Sequence, residues 1–215
     1  MNVLITGAAG YLGSLLVQRL SMAEKNGKPI HIIATDIQEK PIFYSDTTID
    51  YVQLDIRSED VHKVMATYRI DTVVHLASIV TPGKKSNREL EYSVDVLGTE
   101  NILKACVSNG VKRLIVSSSG AAYGYHPDNP DWITEDVPIR GNKEFAYSYH
   151  KRLVEQLLAD YRQTHPELEQ VIFRIGTILG ETVNNQITAL FEKKALIGIS
   201  RSDSPFVFIW DHDVA

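Results

Sequence analysis

Cysteine is almost missing from this sequence, because Cys106 is the only one among 215 residues. A single cysteine cannot form an intrachain disulfide, so a fold held together by disulfide bonds is excluded. Cys106 lies in a periodic apolar pattern typical of a helix, which predicts a packed thiol rather than a reactive one. The sequence also lacks a charged-then-apolar leader and any run of roughly twenty apolar residues. We therefore expect no membrane association and a cytoplasmic location.

Clusters of basic residues are missing as well. No run of Lys or Arg exceeds two residues, and the formal net charge is -5. This charge balance argues against nucleic acid and against an anionic membrane surface as partners. The seven histidines show neither H-x-x-x-H nor Cys-His spacing, so no metal site is predicted. The content of 44% hydrophobic and 23% charged residues is ordinary for a globular domain. Because the charge balance argues against nucleic acid and anionic membranes, we expect small-molecule chemistry.

Apolar strand-like runs alternate with stretches of helical periodicity, which predicts an α/β fold with a doubly wound parallel sheet. Residues 125–142 break this alternation with Pro, Asp and Asn, and a loop of that length is usually functional. A helix from Asn87 to Ser108 is expected to bury Leu90, Val94, Leu97, Ile102 and Ala105. The predicted strands are Asn2–Thr6, Ile30–Thr35, Tyr51–Leu54, Thr72–Leu76, Arg113–Ser118 and Val171–Arg174.

A glycine-rich segment, Thr-Gly-Ala-Ala-Gly-Tyr-Leu-Gly, follows the first predicted strand. Gly7 can form a tight turn, Gly10 has no side chain where a pyrophosphate would approach, and Gly13 lets a helix pack closely on the strand. The helix that begins at Tyr11 would offer its amide groups and its dipole to phosphates. The spacing differs from G-x-G-x-x-G, and glycine triplets also occur in plain turns, so a turn without a ligand is the alternative.

Asp36 ends the second predicted strand, roughly twenty residues after the last glycine of the turn. A carboxylate at this place accepts hydrogen bonds from the adenosine ribose and repels a 2′-phosphate. The predicted cofactor is therefore NAD rather than NADP. The alternative is a solvated Asp at a strand end.

Tyr147 and Lys151 lie four residues apart on the predicted helix that begins near Phe145, so both project from one face. A nearby ammonium favours the phenolate and would bring a tyrosine closer to useful basicity at neutral pH. The alternative is a packed Tyr beside a solvated Lys. The serine run Ser117-Ser118-Ser119 ends the fifth strand, where a hydroxyl can hydrogen-bond a reacting oxygen, although serines there also form ordinary turns.

Together these segments resemble the extended short-chain dehydrogenase/reductases, specifically the NAD-dependent epimerase/dehydratase family that includes UDP-glucose 4-epimerase. The resemblance covers essentially the whole chain in the family's order. It rests on residues 6–13, Asp36, Asp55-Ile56, residues 75–78, Gly98-Thr99-Glu100-Asn101, residues 117–124 and Tyr147 through Lys151.

The resemblance implies a role for each matching position. Ser119 matches the family's catalytic serine, Tyr147 its catalytic base, and Lys151 the lysine that binds the nicotinamide ribose. Arg174 lies in a peptide similar to the family's sixth strand, whose following segment meets the nicotinamide. The remaining expected cofactor contacts are Gly7, Gly10, Tyr11, Leu12 and Gly13 at the pyrophosphate, Asp36 and Ile37 at the ribose, Asp55 and Ile56 at the adenine, and Leu76, Ala77, Ser78 and Ser117 along the middle.

The sequence departs from the family pattern at several places. Asp95 stands where the family usually has Asn, and this puts in doubt either a hydrogen-bond network that kinks the helix or a contact to water. Ile175-Gly176 replace the Pro that usually follows the position of Arg174. The Thr-Asp-Glu of the sugar-nucleotide 4,6-dehydratases is missing, which argues against dehydration. We expect an NAD-binding domain over residues 1–175 and, over residues 176–215, the start of a truncated substrate-binding part.

The leading hypothesis is an NAD-dependent oxidoreductase or epimerase that acts on a sugar nucleotide through a Ser-Tyr-Lys site and a transient keto intermediate. One alternative is an alcohol dehydrogenase or ketoreductase of the same superfamily with a non-nucleotide substrate. Another is a catalytically silent NAD-binding regulatory protein, although such a protein has no need of the acid–base set. A homodimer is an expectation for the full-length protein.

Overall fold

The computed structural model describes residues 1–25, 27–39, 49–80, 87–183, 185, 187–195 and 206–215. A π-helical segment, Ser93–Gly98, joins two of the helices, and a 3₁₀ turn spans Gly120–Tyr123. The strands are β1 (Asn2–Thr6), β2 (Glu24–Lys25), β3 (Lys28–Pro29), β4 (His31–Asp36), β5 (Ile49–Gln53), β6 (Thr72–His75), β7 (Arg113–Ser119), β8 (Glu169–Ile175), β9 (Thr177–Leu179) and β10 (Phe208–Trp210). The helices are α1 (Tyr11–Ser21), α2 (Asp60–Tyr68), α3 (Arg88–Tyr92), α4 (Thr99–Ser108), α5 (Ala146–Thr164), α6 (Thr188–Phe191) and α7 (Asp211–Val214).

Six of these strands form one parallel sheet in the order β5-β4-β1-β6-β7-β8. Helices pack on both faces, and the central strands β1, β4 and β6 are continuous buried runs, whereas β7 alternates buried and half-buried residues. In β1, Val3 and Ile5 belong to the core cluster on one face, together with Val17 of α1. Leu4 belongs to the cluster on the other face, which includes residues of α2, α4 and α5. The predicted doubly wound α/β fold is confirmed, and each predicted strand lies within two residues of an observed one.

The strand order places a crevice at the carboxyl ends of β1 and β6. From β1 the chain moves outward to β4 and β5, and it then returns across β1 to build β6, β7 and β8 on the other side. In such a sheet, ligands bind where the direction of winding reverses. The glycine turn after β1 and residues 76–78 after β6 therefore flank the same crevice.

The predicted helix from Asn87 to Ser108 forms in three pieces, and part of its expected buried face is wrong. Ile102 and Ala105 are fully buried, but Leu90 and Leu97 are 43% and 45% exposed. The cause is the π-helical segment between α3 and α4, because its wider turns shift the side chains out of the regular helical spacing. Asp95 is buried there instead. The helix is thus distorted even though this position holds Asp95 and not the Asn that is usual in the family the sequence resembles.

Other expectations can be compared directly with the described residues. Residues 125–142 contain no helix or strand, as predicted. Cys106 is buried, and burial raises the pKa of its thiol to about 12.

Beyond Ile175, β9 and β10 form a separate parallel pair. The division of the chain at residue 175 stays a prediction. Among the described residues, no helix combines the length and apolar character that crossing a bilayer requires.

Candidate functional site

The glycine turn lies between β1 and α1, and its three glycines are needed for different reasons. Gly7 has a φ of +69°, and a Cβ there would lie 2.8 Å from the amide nitrogen of Ala77. A Cβ on Gly13 would lie 2.2 Å from the carbonyl oxygen of Gly7, so α1 packs directly on the turn. Gly10 differs, because its φ of -73° and ψ of 170° are ordinary extended backbone. Since a Cβ on Gly10 would meet only the Gly7 oxygen, at 3.1 Å, room for a ligand is a better explanation of this glycine than packing.

The first amide groups of α1 have no acceptor within the helix. Tyr11, Leu12 and Gly13 occupy its first turn, where helix geometry leaves N–H groups unpaired, and Gly10 supplies no side-chain cap. The Tyr11 hydroxyl donates a hydrogen bond to the Asp211 carboxylate, which ties α1 to α7. Burial and this hydrogen bond raise the pKa of Tyr11. The Tyr11 side chain is therefore fixed beside α7, while its amide group belongs to the unpaired set at the start of α1.

Asp36 lies directly beside the glycine turn. Its carboxylate accepts hydrogen bonds from the amide groups of Ala9 and Gln38, each at 3.1 Å. Ile37 follows with its side chain 65% exposed. The structure thus brings the predicted ribose carboxylate and the predicted pyrophosphate turn into contact, although 27 residues separate Ala9 from Asp36.

Asp55 and Ile56 follow β5 at the same edge of the sheet. Asp55 forms an ion pair with Arg57 at 2.6 Å, and hydrogen bonds from Arg57 lower the pKa of Asp55. Ile56 is buried against the π-helical segment, since a Cβ on Gly98 would lie 2.5 Å from its Cδ1 atom. The two predicted adenine contacts therefore differ in kind, one being a paired carboxylate and the other a packed apolar side chain.

A buried hydrogen-bond relay connects β1, β6 and α4. The Thr99 hydroxyl donates to the carbonyl oxygen of Asp95 at 2.6 Å, so it can only accept from Nε2 of His75, at 3.0 Å. His75 Nδ1 must then accept the hydroxyl proton of Thr6, at 2.7 Å. Burial lowers the pKa of His75 to about 3, which keeps the ring neutral in this tautomer. Thr6 Oγ1 also accepts from the Leu76 amide group at 3.2 Å, so the relay holds the segment that lines the crevice.

The three serines that end β7 point to different partners. The Ser118 hydroxyl is buried and donates to Glu155 at 2.5 Å. The Ser117 carbonyl accepts a hydrogen bond from the Lys151 ammonium at 3.0 Å. The Ser119 hydroxyl accepts from the Ala121 amide group at 3.1 Å and caps the 3₁₀ turn. Because side chains alternate along a strand, Ser117 and Ser119 share the face opposite to Ser118.

Tyr147 and Lys151 project from one face of α5, with the Lys151 nitrogen 5.5 Å from the centre of the Tyr147 ring. The pKa of Tyr147 is nevertheless raised: burial raises it most, a hydrogen bond with Ser119 lowers it, and the charge of Asp95 raises it. Burial also lowers the pKa of Lys151, against the charges of Asp95 and Glu155. The lowered Tyr147 pKa expected from the Tyr-Lys spacing is therefore wrong for the chain by itself, because the cost of burying a phenolate is larger.

Arg174 forms the centre of a second buried network. Its guanidinium donates to both carboxylate oxygens of Glu155 at 2.8–3.1 Å. It also donates to the Tyr123 hydroxyl at 2.6 Å and to the Glu135 carbonyl at 3.2 Å. These hydrogen bonds, first of all those to Glu155, raise the pKa of Arg174. The Arg174 side chain thus holds the loop of residues 125–142 against β8. The expectation that the segment after Arg174 meets the nicotinamide stays a prediction.

Every predicted site residue lies at, or just beyond, the carboxyl edge of the sheet, apart from Tyr147 and Lys151, which α5 brings to the end of β7. Sequence reasoning missed Glu155 and the pairing of Asp95 with His150. Glu155 could have been found, because it follows Lys151 by four residues and therefore shares its helix face. Among the described residues, no group of three His, Cys, Asp or Glu side chains could hold a metal ion.

The chain is similar to known proteins in sequence and in fold. The model of the NAD dependent epimerase/dehydratase family matches residues 3–202. The chain is similar to UDP-glucose 4-epimerase 2 of Oryza sativa subsp. japonica, with 31% identity over 195 residues, 83% of this chain and 45% of that protein. It is also similar to UDP-glucose 4-epimerase of Yersinia enterocolitica, with 26% identity over 235 residues, 99% of this chain and 66% of that protein.

Solved structures extend the likeness to the fold. The UDP-Glc/GlcNAc 4-epimerase of Campylobacter jejuni superimposes with a TM-score of 0.81 at 21% identity, over 99% of this chain and 71% of that one. A UDP-glucose 4-epimerase of Thermus thermophilus in complex with NAD gives 0.78 at 26% identity, over 100% of this chain and 72% of that one. The chain spans 45% to 66% of the length of the first curated relatives. Because the family model matches well over half of its residues, the chain belongs to the NAD-dependent epimerase/dehydratase family.

Proposed function

We propose that this chain is the NAD-binding part of an epimerase that acts on a sugar nucleotide. The observation that supports the proposal most directly is the grouping of Ser119, Tyr147 and Lys151 beside the crevice that the glycine turn flanks. Several of the proteins to which the chain is similar are named as UDP-glucose or UDP-GlcNAc 4-epimerases. A protein that only senses NAD has no need of a tyrosine, a lysine and a serine at this place.

The residues of the crevice suit NAD. Gly10 has no side chain that would obstruct a ligand, the unpaired amide groups at the start of α1 would attract a pyrophosphate, and Asp36 would accept hydrogen bonds from a ribose. When bound, NAD supplies the capacity to take a hydride from the carbon that bears the reacting hydroxyl and to return it. Lys151 would donate to the nicotinamide ribose. Asp36 carries the preference for NAD, because its carboxylate repels a 2′-phosphate.

The acid–base work falls to Tyr147 and Ser119. Tyr147 would accept the proton of the sugar hydroxyl as the carbon is oxidised, and it would return that proton when the keto group is reduced from the other face. Ser119 would hold the reacting oxygen through a hydrogen bond. Because burial raises the pKa of Tyr147, the Lys151 ammonium and the Ser119 hydrogen bond are needed to make its phenolate accessible.

The test compares product formation with net NADH formation for UDP-glucose and UDP-GlcNAc. An epimerase interconverts the sugar nucleotides without accumulating NADH, whereas a dehydrogenase produces one NADH per turnover. Formation of NADH in a stoichiometric amount would refute the proposed epimerase activity. Tyr147→Phe should lose at least about a hundredfold in turnover. Tyr149→Phe is the matched control, because Tyr149 lies on the same helix but has Leu153 four residues on.

Cofactor preference is tested separately by calorimetric titration. NAD should bind more tightly than NADP, and Asp36→Asn should narrow the difference by removing the repelling charge. Tighter binding of NADP by the unsubstituted protein would contradict the assignment of Asp36.

A further inference from the structure

Ser148 directly follows Tyr147 on α5, and its side chain is fully buried. Its hydroxyl oxygen lies 2.6 Å from the carbonyl oxygen of Ala121, 2.9 Å from the amide nitrogen of Asn142 and 3.5 Å from Asn142 Oδ1. A hydroxyl group has one proton, so Ser148 donates it to Ala121, the much nearer of these two acceptors. The hydroxyl oxygen in turn accepts from the Asn142 amide group. Ser148 therefore joins the 3₁₀ turn after β7 to the end of the 125–142 loop.

The first half of the 3₁₀ turn has little else to support it. A Cβ on Gly120 would meet no atom of the described residues within 4 Å, so the residue after Ser119 is not packed against a neighbour. Glycine also gives the backbone freedom at this place. The carbonyl oxygens of the last two residues of the turn accept from amide groups at the end of the 125–142 loop, at 3.0 and 3.3 Å. The Ser148 hydroxyl instead holds Ala121, which is only two residues from Ser119.

Ala121 connects the turn to the hydroxyl of Ser119. Its amide group donates to Ser119 Oγ at 3.1 Å and so occupies one lone pair of that oxygen. The hydrogen bond between Ser119 and Tyr147 lowers the pKa of the phenol, against the larger effect of burial. A hydrogen bond that lowers this pKa favours the phenolate, which can only accept, so Ser119 is the donor. The Ala121 amide group therefore sets the direction in which Ser119 offers its proton.

We propose that Ser148 is a positioning residue, which holds Ala121 so that the Ser119 hydroxyl stays directed at Tyr147 and at the reacting oxygen of the substrate. Ser148 is buried beneath the turn, so it acts through Ser119 and not on the substrate. Because Tyr147 and Ser148 are consecutive, the helix turn that carries the phenol also orients the hydrogen-bond donor of that phenol. The role in turnover rests on the proposed function, whereas the support of the 3₁₀ turn does not.

The first test is a double-mutant cycle on epimerase turnover with UDP-glucose. Ser148→Ala removes one hydroxyl group and should lower kcat by roughly 10- to 100-fold, with a smaller change in KM and an unchanged affinity for NAD. In a Ser119→Ala background, the same substitution should lower kcat by less than about a further twofold. The reason is that Ser148 acts only through the hydroxyl that is already missing there. Equal losses in both backgrounds, or an unchanged kcat in Ser148→Ala, overturn the positioning role.

The second test is amide hydrogen exchange, which needs neither substrate nor turnover. In Ser148→Ala, the amide groups of Ala121 and Asn142 should lose protection by at least about tenfold more than those of β4, a core strand that reports global unfolding. Ser108→Ala is the control, because the Ser108 hydroxyl also donates to a backbone carbonyl but lies at the end of α4. It should change Ala121 no more than β4. Equal changes at Ala121 and β4 in Ser148→Ala would show that the hydroxyl contributes only to overall stability.

Urea unfolding shows whether each variant is folded in these measurements. If Ser148→Ala does not fold, Ser148→Cys takes its place in both tests, because a thiol is a weaker donor of similar shape. A protein that interconverts no sugar nucleotide refutes the proposed function, and the exchange of Ala121 then decides whether Ser148 supports the turn. An active protein whose kcat is insensitive to Ser148→Ala refutes the positioning role and leaves the proposed function intact.

Discussion

Replacing Gly13 with alanine should loosen the contact between α1 and the glycine turn. The new Cβ would lie 2.2 Å from the Gly7 oxygen and 2.8 Å from the Ala8 Cα atom. Both obstacles are backbone atoms, so neither can rotate away, and α1 must move by roughly an ångström to restore van der Waals distances. Such overpacking costs about 1–3 kcal/mol, against a gain of up to about 1 kcal/mol from the helix propensity of alanine. We expect a net loss of about 1–2 kcal/mol in the free energy of unfolding.

Gly10→Ala provides the matched comparison within the same turn. Its backbone angles are ordinary, and its Cβ would meet only one atom, at 3.1 Å. Stability without cofactor should therefore stay within about 1 kcal/mol of the unsubstituted protein. The methyl group would instead occupy the space proposed for the pyrophosphate. NAD affinity should fall at least about tenfold, which is about 1.4 kcal/mol.

Urea unfolding without cofactor and calorimetric titration with NAD separate the two effects. Gly13→Ala should lower the urea midpoint, whereas Gly10→Ala should keep the midpoint and lose binding. An unchanged midpoint for Gly13→Ala would refute the close packing of α1 on the turn. Undiminished NAD binding by Gly10→Ala would show that the pyrophosphate does not lie there.

Three further predictions concern buried groups. Glu155→Gln leaves the Arg174 guanidinium without its charged partner and should cost about 2–4 kcal/mol in the free energy of unfolding by urea. Glu169→Gln, which removes the exposed ion pair of Glu169 with Arg113, should cost less than about 1 kcal/mol. Equal losses would contradict the argument. The folded protein keeps His75 neutral down to its pKa of about 3, while the unfolded chain binds a proton near about 6.5. Between these two pH values the unfolded state therefore binds more protons than the folded state. The free energy of unfolding should fall by up to about 1.4 kcal/mol for each unit by which the pH is lowered. This dependence on pH should be weaker in His75→Gln. Cys106, whose pKa burial raises to about 12, should react with a thiol reagent only after the protein unfolds, and rapid labelling of the native protein would contradict its packing.

Local patterns in the sequence were enough for the architecture and for the positions of the candidate site. Apolar runs and helical spacing predict all six strands of the main sheet, and the signal is clearest for β1, β4 and β6, whose burial on both faces needs continuous apolar residues. Gly7 and Gly13 belong to a single turn of the chain, and Tyr147 and Lys151 lie one helical turn apart. Such short-range relations can be read directly, and the structure brings these residues to one edge of the sheet.

The sequence by itself therefore determined the fold, the family and the residues that flank the crevice. Tertiary structure decided how those residues are charged and held: the π-helical turn that exposes Leu90 and Leu97, the neutral His75, the raised pKa of Tyr147 and the meeting of Asp95 with His150. The physical reason is that burial and hydrogen bonding depend on partners far apart in the chain. Asp95 and His150 are separated by more than fifty residues, and no local pattern in either segment contains the other.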